Sequence, residues 1–302
     1  MERIPTASTK TPEHLPTPTE KVREYLARQH EILAKRIEEM QEGVPAGKRL
    51  TVAPDFRLIP PPDTYDPVDR QIADQVTRDR YDSDDEKQIQ SKENTHAGTA
   101  FEMFKTAIMH KHMGKRFIIV RASRYDDYIN GVDNVLMDTA TGHIVCAFDE
   151  ISNNKYQSAA VMNKTKKVLG RNFGMPWDSL DYSENLPDAV RRSQKTREYG
   201  ASLKYGIELE DGKIRCKTVN HLPIFMLSLN YEDLDEGQYE FINGEVQSPA
   251  EKRIFKYFLT MLSAQIQQLK LKPRHYESLP ENLRERVDSF QRYIEEILQS
   301  KT

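Results

Sequence analysis

GVDNVLMDTATGHIVCAFDEIS, residues 131–152, is the stretch from which the organisation of the chain is read. Val132–Met137 and Ile144–Ile151 are apolar runs of strand length and composition. Between them, Asp138-Thr-Ala-Thr-Gly142 has the composition of a tight hairpin connection. Each run nevertheless carries acid: Asp133 at the start of the first, Asp149 and Glu150 at the end of the second. A carboxylate in such a run must be paired, solvated or bound to a cation, because an unpaired buried charge is costly. A short hairpin brings the start of one strand beside the end of the next, so these acids are expected to meet at one end of a sheet. Adjacent side chains on a strand point to opposite faces, so only one of Asp149 and Glu150 faces such a centre, with Asp149 preferred and Glu150 second.

Upstream, Ala100, Phe101, Phe104, Ile108 and Met109 mark a helix ending near Gly114 and carrying Glu102, and Phe117–Val120 reads as a buried strand. Downstream come a helix over Ser158–Leu169, an irregular segment with the single tryptophan, Trp177, a hairpin of Ala201–Glu208 and Lys213–Val219, and an apolar strand over Leu222–Leu229. The fold class expected is α/β (α+β), a mixed central sheet flanked by helices. A helix carboxylate above two strand acids makes an oxygen site of the kind that hard cations prefer.

The flanks read differently. Residues 1–18 are rich in Thr and Pro and are expected to be a disordered tail. Thr19 reads as the N-cap of an amphipathic helix carrying Val22, Leu26, Leu33, Ile37 and Met40. A proline-rich linker or strap follows from Val44 to Pro67, then a polar helix over Val68–Gln90. Together, residues 19–94 form a helical arm, and 95–232 the α/β core. Residues 233–302 close the chain as a helical hairpin, with Ile254, Phe258, Leu262 and Ile266 on one helix and Leu283, Val287, Phe290 and Ile294 on the other.

At 302 residues and 37% hydrophobic content, the chain is not purely disordered. Its net charge of −3 conceals an uneven distribution: residues 98–220 hold 19 Lys+Arg against 15 Asp+Glu, whereas both flanks are acidic. Between residues 155 and 197, nine basic residues interleave with Tyr156, Phe173, Trp177 and Tyr182, a mixture able to track phosphates and stack bases, or simply a solvated basic face. Asp126-Asp127 in SRYDDY reads as a solvated loop. No apolar run approaches a membrane span and the N-terminus lacks a signal-peptide core, so a cytoplasmic location without a membrane partner is expected. Cys146 and Cys216 show no metal-ligand spacing and read as thiols. Absence of Walker A, GxGxxG, HExxH and GxSxG patterns argues against the commonest nucleotide, redox, protease and hydrolase chemistries.

The segment from Gly98 to Glu150, with TAFEMF, RFIIVRAS, YDDYINGVDNVLM and HIVCAFDEIS, followed by ASLKYGIELEDGKI and HLPIFMLSL, resembles the core of the PD-(D/E)xK nuclease superfamily, divergent bacterial members in particular. The resemblance spans about residues 95–230. It implies a restriction-endonuclease-like core, a Mg²⁺ or Mn²⁺ cofactor held by Glu102, Asp133 and Asp149 or Glu150, and hydrolysis of DNA or RNA. The lysine that this family carries two residues after the last acid is missing, since Ile151 and Ser152 stand there. Lys155, Lys164 or Lys167, and Lys204 are the candidates to replace it. The alternative is an inactive nuclease-fold protein that binds nucleic acid or acts as an interaction module. A scaffold that forms a homo-oligomer or holds a protein partner through its terminal helices is the third expectation.

Overall fold

The computed structural model describes residues 17–95, 97–141, 143–153, 158–174 and 199–300. Most of the expected N-terminal tail, Lys155, Trp177 and the basic residues 191–197 lie outside the described residues. Helix α1 spans Pro18–Glu39 and is capped by Thr17, not Thr19. Thr17 and Glu20 form a reciprocal capping box, and Pro18 takes the first helical position, where its missing N–H costs nothing. Val22, Tyr25, Leu26, Leu33 and Ile37 bury the apolar face of α1 in the same core as the central sheet. The expected arm is therefore packed onto the body of the protein.

The proline strap folds back on itself as a short antiparallel pair, β1 (Thr51–Val52) and β2 (Leu58–Ile59). Its turn places Phe56 at φ 67°, a left-handed conformation uncommon for an aromatic residue, with the ring wholly buried. The Phe56 carbonyl accepts the Arg121 N–H at 2.9 Å. Helices α2 (Pro67–Tyr81) and α3 (Glu86–Thr95) replace the single helix expected over 68–90. The break falls at Asp82, which ends α2 in the left-handed region at φ 45°.

The centre runs α4 (Ala97–Met113), β3 (Phe117–Arg121), α5 (Arg124–Tyr128), β4 (Asn134–Asp138), β5 (Ile144–Asn153) and α6 (Ala159–Asn172). It continues through β6 (Ala201–Glu210), β7 (Lys213–Leu222) and β8 (Ile224–Asn230). Strands β3, β4, β5 and β8 form a mixed sheet in that order, antiparallel through β5 and parallel between β5 and β8. The hairpin β6–β7 is a separate two-stranded ribbon. The chain ends with α7 (Tyr231–Tyr239), α8 (Pro249–Lys270), the short α9 (Pro273–Glu277) and α10 (Glu281–Ser300).

Phe255, Phe258, Leu262 and Ile266 of α8 and Val287 and Phe290 of α10 are buried in the common core, so the C-terminal helices cover the sheet. Side chains of this size contribute about 1.5–3 kcal/mol each on full burial. Each sheet edge is covered at one position. The strap runs beside β3, where Arg57 bridges to Arg121. At β8, the Gln265 amide of α8 accepts the Met226 N–H at 2.9 Å and donates to the Met226 carbonyl at 2.7 Å, standing in for a neighbouring strand. The architecture is mixed α/β, and among the described residues no helix is long and apolar enough to cross a membrane.

Candidate functional site

Asp133 lies just before β4, in a loop that Gly131 turns at φ 59°. Its N–H donates to the Phe148 carbonyl and its carbonyl accepts from Ala122, both at 2.9 Å, so its backbone is stitched between the neighbouring strands. The carboxylate accepts the Glu150 N–H at 2.7 Å. Asp149 Oδ1 accepts the same N–H at 2.9 Å. Two carboxylates from adjacent strands thus meet over one backbone donor, as the hairpin argument expects. Lys164, on α6, brings its ammonium 2.6 Å from Asp149 Oδ1 and also donates to the Glu150 carbonyl. The Lys164 side chain is 31% exposed, against 8% for Asp149.

Burial raises the Asp133 carboxyl well above the usual carboxylate range, and the like charges of Asp149 and Glu150 push it further. Burial opposes the charge on Lys164, but Asp149 and Asp133 outweigh it and hold the ammonium protonated. Lys164 is therefore a hydrogen-bond donor and a fixed positive charge, not a base.

Glu150 goes to a different helix from its neighbour, as strand parity requires. Its carboxylate pairs with Lys105 of α4, with side chains 2% and 0% exposed, and accepts from Asn134 Nδ2 at 2.9 Å. Asn134 in turn accepts from Thr106 at 3.1 Å. Burial pushes the Glu150 carboxyl up to about 6, with Lys105 opposing and Glu102 adding to the rise. Its second oxygen, Oε2, is buried without a hydrogen-bond partner among the described residues.

Glu102 faces the strap. It pairs with Arg121 of β3, whose other nitrogen lies 2.6 Å from Asp55, while Arg57 reaches Asp127 at 2.9 Å. Burial would raise the Glu102 carboxyl, but Arg121 and Arg57 prevail and hold it below its ordinary value. Its charge is still felt at Asp133 and Glu150. Of the acids expected at one centre, Asp133 meets Asp149, which pairs with Lys164; Glu102 goes instead to Arg121, and Glu150, the second choice beside Asp149, goes to Lys105. Among the described residues no group of three or more His, Cys, Asp or Glu is gathered to hold a metal ion.

Of the replacement lysines, Lys155 lies outside the described residues. Lys204 is turned away, pairing with Asp69 of α2. Lys167 sits one turn beyond Lys164 on α6, half-buried. Arg171 is a buried anchor: it donates to the carbonyls of Asn130 and Gly131 at 2.9 and 3.2 Å and fastens the loop leading to Asp133. Asp126, expected in a solvated loop, is fully buried in α5 and accepts from Ser123, Asn130 and the N–H groups of Lys204 and Tyr205. The Ser123-x-x-Asp126 spacing, a helix N-cap pattern, was the signal available for this helix. Nothing local in the sequence marks Lys105 or Arg121, whose partners arrive through tertiary packing. Compared with known proteins, the chain matches no family model, no curated protein and no solved structure.

Proposed function

We propose that the chain is a metal-dependent nuclease of the PD-(D/E)xK type, hydrolysing phosphodiesters of DNA or RNA at the centre formed by Asp133, Asp149 and Lys164. The observation that carries this reading is the meeting of the Asp133 and Asp149 carboxylates over the Glu150 N–H, with Asp149 and the Glu150 carbonyl held by the Lys164 ammonium. The Asp149 carboxylate and Glu150 carbonyl already accommodate a positive charge, and burial, with the like charges of Asp149 and Glu150, raises the pKa of Asp133. A set of two carboxylates suits Mg²⁺, which ordinarily keeps several waters and takes its remaining ligands from substrate oxygens. Bound there, Mg²⁺ or Mn²⁺ would supply positive charge at the phosphodiester and lower the pKa of a coordinated water.

Lys164 takes the part of the lysine missing after Glu150, supplied by the helix that follows the strand. Permanently protonated, it donates to an attacking water or to a phosphate oxygen. The Lys105–Glu150–Asn134 cluster holds the end of β5 from the opposite face, and Arg171 holds the Asp133 loop. The mixed sheet with helices packed on it supports the restriction-endonuclease-like core that the resemblance implies. The test is cleavage of single- and double-stranded DNA and RNA with Mg²⁺ by wild type, Asp133→Asn and Lys164→Met. Both variants should lose activity by about 10²-fold or more, with unchanged far-UV circular dichroism. Undiminished cleavage by either variant refutes the assignment.

One observation favours a second reading, an inactive nuclease-fold module that binds nucleic acid. Arg121, Lys105 and Lys164 already pair with Glu102, Glu150 and Asp149, so each of these three acids has a cationic partner within the protein. Nucleic-acid binding without cleavage in either Mg²⁺ or Mn²⁺ is the outcome that selects it.

A further inference from the structure

Between α1, the proline strap and α2 lies a cleft of about 970 Å³, remote in sequence from the acid centre. Its walls include Leu26 of α1, Leu58, Ile59 and Pro60 of the strap, and Met103 of α4. Arg23, Arg49, Arg57, Arg70 and Arg124 also line it, against two acids, Asp55 and Asp74. Asp55 is engaged by Arg121 at 2.6 Å and lies 3.7 Å from Arg57, so one of the two lining acids is already held by arginine, and arginines outnumber acids in the lining five to two. Arg49 is fixed by its Nε, which donates to the Val44 carbonyl at 2.6 Å, and Arg70 lies over the Tyr65 ring, 5.0 Å from its centroid.

An apolar interior beneath a set of guanidinium groups selects a ligand with two parts. Planar guanidinium forks match phosphate oxygens in pairs, and several of them favour a multiply charged head over a single carboxylate. The proline walls suit a flat apolar body, and the Arg70 guanidinium over Tyr65 is a plane of the kind that stacks on an aromatic ring. The volume falls within the range of small-molecule sites and admits one nucleotide. A fatty acid would use the walls but few of the arginines, and a bare phosphate would leave the walls unfilled.

We propose that this cleft is a nucleotide-binding site, taking a nucleoside phosphate either free or as one residue of a nucleic-acid strand. Met103 and Asp55 border on Glu102 and Arg121, so a strand seated here lies on the same side of the protein's ionic network as the helix acid. Binding at this site does not require the acid centre to hold metal or to be active.

The test is calorimetric titration of the full chain in EDTA, which removes any contribution of a divalent cation. The probes are adenosine 5′-monophosphate and 5′-phosphorylated hexathymidylate, with adenosine, inorganic phosphate and oleate as controls. Adenosine 5′-monophosphate should bind at least about 10-fold more tightly than adenosine or phosphate. The Arg49→Ala/Arg70→Ala variant should weaken it by a similar factor while its far-UV circular dichroism stays that of wild type. Hexathymidylate binding more tightly than the mononucleotide assigns the site to a strand, and the reverse order assigns it to a free nucleotide. Protection of the non-proline amides of residues 51–59 from hydrogen exchange on addition of adenosine 5′-monophosphate to wild type checks the location without any substitution. No binding of either nucleotide at millimolar concentration, equal binding by the variant, absence of that protection, or preference for oleate overturns the proposal. Because EDTA is present throughout, none of these outcomes bears on the metal centre.

Discussion

Replacing Lys105 by Met removes the only cation paired with Glu150 among the described residues, at a place where both side chains are almost wholly inaccessible. Methionine fills most of the lysine stem's volume, so the change isolates the charge. Breaking one side of a buried ion pair typically costs about 3–5 kcal/mol, because the remaining charge is left without compensation. Set against a total stability of about 5–15 kcal/mol for a folded domain, that loss is large. The assay is urea unfolding at pH 7.5, comparing wild type, Lys105→Met and Lys105→Met/Glu150→Gln. The double variant should recover at least half of the loss, since glutamine is neutral and its carbonyl still accepts from Asn134. The effect of pH has a definite sign. Glu150 rises from 4.5 in the unfolded chain to about 6 in the fold, so the native state binds more protons between those values. Its contribution to stability therefore falls as pH rises through that window and is constant above it. In Lys105→Met the folded pKa rises further, so the deficit should shrink by roughly 1–2 kcal/mol on going from pH 7.5 to pH 5, at about 1.36 kcal/mol per pKa unit. A loss below about 1 kcal/mol, a double variant no better than the single, or a deficit that widens on acidification refutes the reasoning.

Asp126→Ala leaves the N–H groups of Lys204 and Tyr205 without their acceptor and should destabilise by about 2–4 kcal/mol, with amide exchange accelerating first in β6; unchanged protection of these two amides counts against it. Gln265→Leu exposes the β8 edge at Met226 and should cost roughly 1–3 kcal/mol, read as a shift in urea midpoint, whereas an unshifted midpoint shows that the edge needs no side-chain partner. Arg171→Ala should lower cleavage activity more than it lowers the urea midpoint, because its two hydrogen bonds hold the Asp133 loop; equal loss of both would make Arg171 a general stability residue.

The hairpin of the central sheet was legible because its signals are local: two apolar runs, a turn composition between them and acids at the ends that the turn brings together. The same locality explains why Asp133 and Asp149 meet. Glu102 was expected beside them because helix α4 could be read but the partner of its acid could not. That partner, Arg121, lies on β3, and its position is set with the strap, whose path over residues 51–59 depends on tertiary pairing. Asp126 reads as solvated from the sequence for the same reason, since two of its donors come from 78 and 79 residues further on. The N-terminal helix showed its apolar stripe plainly, but a stripe does not name the surface that buries it. Lys164 was one of several replacements for the missing strand lysine, and only the approach of α6 to β5 separates it from Lys204, which goes to Asp69.

The most direct measurement of the central claim is calorimetric titration of Mg²⁺ and Mn²⁺ into wild type and the Asp133→Ala, Asp149→Ala and Lys164→Met variants, with and without a non-cleavable oligonucleotide. Wild type should bind, both alanine variants should lose binding, and Lys164→Met should bind more tightly, because the ammonium it removes competes for the same oxygens. No binding by wild type under either condition, or equal binding by Asp133→Ala, would contradict a metal centre at these residues.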